Sequence, residues 1–260
     1  SALVAVGASA AASSQDFAAA RADLVAAGAM GRQPAVAQAP AHAPARQAPP
    51  SAQKPASQAE ILAQPLLVDP KVTIGTLPNG LRYYLRVNTS PERRAELRLV
   101  VNAGSILEDD DQLGLAHMVE HMAFNGTTHF AKQEIVSFME SIGMRFGPDV
   151  NASTSFDETV YMLQVPTDKP EILQKSFLIL EDWAHNLTFD PAEIDKERGV
   201  IIEEWRLRRG AAARMQDEQL PTLLKGSRYA ERLPIGTVKS IETFTPARLK
   251  QYYADWYRPD

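Results

Sequence analysis

Two histidines four residues apart bracket a glutamate in the run His117-Met118-Val119-Glu120-His121. On a helix turning about 100° per residue the histidines lie roughly 40° apart, and Glu120 stands about 60° from His117 on the same side. Two imidazoles so placed can meet one cation, and a carboxylate beside them can take up or release a proton. The surrounding residues Leu113, Leu115, Ala116, Met118, Val119, Met122 and Ala123 are apolar on nearly every side, which predicts a buried helix. Burying two imidazoles and a carboxylate without partners costs on the order of several kcal/mol, so a metal ion or a dense hydrogen-bond network must compensate.

A hydrolytic zinc site takes three protein ligands and keeps one position open. The chain has no Cys, so the third ligand must be His, Asp or Glu. The remaining histidines that could serve are His42, His129 and His185. A later segment offers Glu193, Glu197, Glu203 and Glu204. On one helix Glu197 and Glu204, seven apart, fall within about 20° of each other, whereas Glu203 is turned about 120° from Glu197. A row of charges is also what a solvated helix face looks like, so spacing alone leaves the third ligand open.

The elements that must position these groups are legible in outline. Val72-Thr73-Ile74 and Leu81 to Val87 flank Asn79-Gly80, a strong hairpin signal, and Glu96 to Asn102 repeats the strand texture. The helix carrying the histidines is expected from about Gln112 to Phe124, closed by Asn125-Gly126, and a second from Lys132 to Ile142. A strand follows over Thr159 to Val165. A third helix starts at Pro170 with the stripe Ile172, Leu173, Phe177, Leu180 and Trp183. A fourth starts with Asp190 as cap, Pro191 in its first turn and Glu193 as the partner of a capping box, and a fifth follows Thr245-Pro246. Strands and helices without strict βαβ alternation predict an α+β fold, a mainly antiparallel sheet packed with helices.

A length of 260 residues allows one large domain or two small ones. The first 60 residues are too rich in Ala, Pro, Gln and Ser to offset the entropy of ordering, which predicts a disordered tail over 1–60 and a folded domain over 61–260. The apolar opening Ala2 to Ala10 reads as the remnant of an export signal, with the Pro-rich stretch behind it as linker. Lys and Arg number 27 against 32 Asp and Glu, with no basic block, so nucleic acid is not an expected partner. No run of 18 apolar residues occurs, so no membrane-spanning segment is expected either.

Three blocks together resemble the pitrilysin/insulinase family of inverted-motif (HxxEH) zinc metallopeptidases. They are His117 to Thr127, Asn151 to Tyr161, and Glu197-Arg198-Gly199-Val200-Ile201-Ile202-Glu203-Glu204-Trp205. The texture is nearest to exported bacterial zinc proteases. The resemblance implies a Zn2+ cofactor held by His117, His121 and Glu204, with Glu120 as general base and Glu197 as a second acidic residue supporting the site. It also implies that Asn151 and Ala152 lend their backbone to an added substrate strand. The expected activity is therefore metalloendopeptidase hydrolysis of peptide or unfolded protein, in the periplasm or otherwise outside the cytoplasm. Family members continue beyond the position of Asp260 with a last strand and further domains that close over the substrate. The domain is thus expected to be incomplete at its C-terminus, and the rival expectation is an inactive homologue acting as a peptide-binding or scaffold subunit.

Overall fold

The computed structural model describes residues 2–8 and 68–259. Six strands form one sheet in the order β2-β3-β1-β4-β6-β5. These are β1 (Ala2–Ala8), β2 (Val72–Thr76), β3 (Arg82–Val87), β4 (Arg94–Val101), β5 (Val150–Thr154) and β6 (Thr159–Pro166). The expected hairpin is present: β2 pairs antiparallel with β3, and Gly80 supplies the left-handed residue of the turn at φ 95°. Along β4 the residues Ala95, Leu97, Leu99 and Val101 are buried and their neighbours half-buried, and β6 alternates likewise through Thr159, Tyr161, Leu163 and Val165. This period of two shows a sheet covered on one face.

Seven α-helices are described: α1 (Leu115–Met122), α2 (Glu134–Ser141), α3 (Pro170–His185), α4 (Pro191–Leu207), α5 (Ala211–Leu223), α6 (Val238–Thr243) and α7 (Pro246–Trp256). Helix α3 packs on β4 and β6, its expected stripe supplying buried Ile172, Phe177, Leu180 and Trp183. Helix α1 is wedged between β5, α4 and α7 and buries Leu115, Ala116, Met118, Val119 and Met122. The result is the expected α+β layer fold.

Several expectations need correction. The segment Ala2–Ala8, assigned to the tail by composition, is a strand inserted between β3 and β4, antiparallel to the first and parallel to the second. Its sequence carries no proline, so every residue keeps the N–H that ladders on both sides need. The rest of the expected tail and linker, with the boundary at 60/61 and His42, lies outside the described residues. Helix α1 starts at Leu115 because Gly114 is left-handed at φ 95°, and Gln112 closes a turn by accepting from the Asp109 N–H at 2.9 Å. Asp190 caps α4 through the Ala192 N–H at 2.7 Å, but Glu193 completes no capping box and pairs with Lys132 and Lys196.

Candidate metal centre

Helix α1 presents His117 and His121 to α4, which presents Glu197 and Glu204. The imidazole Nε2 atoms of the histidines lie 3.2 Å apart. The Glu204 carboxylate is 3.7 Å from Nε2 of His117 and 3.5 Å from Nε2 of His121. One ligand atom from each of the three residues falls within 4.8 Å of the others. A tetrahedral zinc ion with ligand bonds of about 2.0–2.1 Å has ligand atoms about 3.3 Å apart. The His117 and His121 nitrogens stand at close to that spacing, and each has a different oxygen of Glu204 within a few tenths of an ångström of that spacing, Oε2 for His117 and Oε1 for His121, so the donor set fits the ion that the resemblance implies.

The two histidines are oriented differently. Nδ1 of His121 meets the Glu197 carboxylate at 3.0 Å, and the His121 carbonyl accepts from Nδ2 of Asn125 at 3.0 Å. Nδ1 of His117 is buried and makes no hydrogen bond among the described residues. Burial, and then the charge of His121, pushes the His117 imidazole down to about 3, so it stays neutral and keeps a lone pair for a cation. Burial acts on His121 in the same direction, but the hydrogen bond with Glu197 and the charges of Glu204 and Glu120 outweigh it and raise that imidazole. For Glu197, burial is outweighed by the same hydrogen bond and by the His121 charge, and its carboxyl is lowered.

Glu120 points between α1 and β5, where the hydroxyl of Thr154 donates to its Oε2 at 2.5 Å. Burial raises its carboxyl, and the Thr154 hydrogen bond opposes part of that rise. Asn151 and Ala152 lie on β5, the end strand of the sheet on the side of α1. The residue of this strand that touches Glu120 is Thr154, which sequence reasoning passed over because a threonine in a strand carries no distinguishing signal. Glu203 is exposed and paired with Arg206, as its angle on the helix predicts. His129 faces the buried Asp182 at 2.7 Å, and His185 is half-buried on α3, so neither joins the cluster.

Residues 83–229 match the family described as insulinase (peptidase family M16). The chain belongs to that family. It is 49% identical over 183 residues to a zinc protease PQQL-like of Arabidopsis thaliana, covering 70% of this chain and 19% of the relative. It is 44% identical over 192 residues to the probable zinc protease PqqL of Haemophilus influenzae, covering 74% of this chain and 21% of the relative. The crystal structure of the first half of the periplasmic protease PqqL from Escherichia coli superposes with a TM-score of 0.71 at 44% identity, covering 75% of this chain and 42% of that one. The chain thus spans about a fifth of the length of the curated relatives it matches. Among the described residues no helix is long and apolar enough to cross a membrane.

Proposed function

We propose that residues 61–260 form the N-terminal catalytic domain of a zinc metalloendopeptidase, with His117, His121 and Glu204 as ligands and Glu120 as general base. The observation that carries this reading is the division of labour in one cluster: one ligand atom from each of His117, His121 and Glu204 within 4.8 Å of the others, and a further acidic residue, Glu120, turned aside and held by Thr154. Zinc bound there would polarise the scissile carbonyl and bring the pKa of a water toward ~7. Glu120 then accepts the proton of the attacking water and delivers it to the leaving nitrogen. A carboxyl raised by burial suits that exchange, because it holds the proton between the two steps. Glu197 fixes the ring of His121 through Nδ1, as a carboxylate behind a metal-bound histidine does.

An extended peptide would add to the outer side of β5 at Asn151 and Ala152, displacing Oδ1 of Asn151 from the Ala152 N–H that it now accepts from at 3.0 Å, a mode that tolerates many side chains. The substrate is accordingly peptide or unfolded protein. Parts of the kind carried by the longer relatives would close over it. Export to the periplasm is consistent with the matching periplasmic protease of Escherichia coli.

The test is Glu120→Gln, assayed on an unfolded polypeptide in this chain and in the chain joined to the remainder its longer relatives carry. The variant should keep zinc and lose roughly 10²–10⁴ in rate. Simultaneous loss of zinc and activity would contradict the assignment, and a wild type inactive in both forms would favour a peptide-binding subunit.

A further inference from the structure

The first turn of a helix leaves N–H groups that need partners from outside it. In α1 these groups lie directly before His117, and no side-chain cap comes from the N-cap residue, Gly114. The loop around Gly236 seals this end. A Cβ on Gly236 would come within 2.5 Å of Cα of Gly114, and one on Gly114 within 3.1 Å of Cα of Gly236. Two of the N–H groups are met by one side chain, Glu108, which is completely buried. Its Oε2 accepts from Gly114 N–H at 3.0 Å and its Oε1 from Ala116 N–H at 2.9 Å.

Glu108 is itself held in place. Its main-chain carbonyl accepts from the guanidiniums of Arg228 and of Arg232, the latter through Nε at 2.9 Å. Arg232 also pairs with Asp110 at 2.5 Å, and the Arg232 carbonyl accepts from the hydroxyl of Ser105 at 2.5 Å. The 3-10 turn Arg228–Glu231 and the 3-10 turn Ser105–Leu107 are thereby clamped on either side of Glu108.

We infer that Glu108 is a positioning residue for the metal centre: by bridging the N–H groups of Gly114 and Ala116 it sets the first turn of α1, and with it the place of His117. This rests on the ligand set proposed above. His121 has a carboxylate on its second nitrogen, whereas His117 has no partner there among the described residues, so the placement of its ring depends on the backbone that carries it. Loss of an outer partner of a metal ligand typically costs about 10–100-fold in metal affinity.

The experiment measures zinc affinity by competition with a chromophoric chelator, and amide hydrogen exchange of α1 in the metal-free chain. Glu108→Ala should weaken zinc about 10–100-fold and speed exchange at Gly114, Ala116 and His117. Glu108→Gln retains one carbonyl oxygen and should recover part of the affinity. Leu99→Ala, a fully buried core position on β4, serves as a control that should lower stability while leaving affinity unchanged. A folded Glu108→Ala chain with wild-type affinity would overturn the proposal, as would an equal loss in Leu99→Ala. If Glu108→Ala does not fold, Glu108→Gln decides between a reduced affinity, which supports the role, and an unchanged one, which overturns it. His117→Ala, measured alongside, separates the two levels: undiminished zinc binding there would fail the ligand set itself.

Discussion

The two ends of α1 solve the same problem by different means. At the C-terminal end His121 is aimed by a side chain on a neighbouring helix, Glu197, and its carbonyl is held by Asn125. At the N-terminal end His117 has no such partner among the described residues, and the helix backbone is anchored instead by Glu108. A histidine proposed as a metal ligand can thus be fixed either through its ring or through its main chain. The second way is sensitive to loops distant in sequence, because Arg228, Arg232 and Gly236 all converge on that end.

The comparison can be broken most severely by removing either ring. His117→Ala and His121→Ala each leave two ligands and should abolish zinc binding in chelator competition; retention by either would dissolve the pair. Next, Glu197→Gln should weaken zinc by about 10–100-fold, and isothermal titration of the variant would show it. An unchanged affinity would mean that His121, like His117, is placed by its backbone.

A pH series sharpens the N-terminal half. Burial lifts the Glu108 carboxyl from about 4.5 to about 8, against the backbone N–H bonds and the charge of Arg232. Tyr252, buried nearby, is raised in part by the same carboxylate. Within that window the folded chain holds a proton that the unfolded chain has released, so stability falls as pH rises from about 4.5 to about 8. Thermal melts of metal-free wild type and Glu108→Gln at pH 5 and pH 8 should show the variant gaining relative to wild type at the higher pH. Parallel changes would mean that Glu108 does not titrate there. The smallest effect is expected from Asn125→Ala, which removes a bond to the helix end and a side-chain bond to Glu197 and should cost about 0.5–1.5 kcal/mol for each in denaturant unfolding.

How much of this was legible depended on whether a signal was local. The pattern of His117, Glu120 and His121 needs only helical geometry, and the Asn79-Gly80 hairpin only turn chemistry. The angle on α4 put Glu204 on the face of Glu197 and turned Glu203 away, but spacing left the third ligand open and only the resemblance singled out Glu204. Glu108 was hidden because its role exists only after residues more than a hundred positions away, Arg228 and Arg232, have docked on its carbonyl. Helix α5 was missed because none of its residues is buried, so no apolar period marks it. Strand β1 was misread because an uncharged run of Ala, Leu and Val looks alike as an export segment and as a central strand.

The most direct test of the account compares the zinc affinity of three single substitutions in the same chain: Glu204→Gln, Glu203→Gln and Glu120→Gln. Adjacent residues on α4 and a neighbour of the ligands on α1 are thereby held to different roles. Glu204→Gln alone should show a large loss, with the other two close to wild type. Unchanged binding in Glu204→Gln, or an equal loss in Glu120→Gln, would contradict these roles.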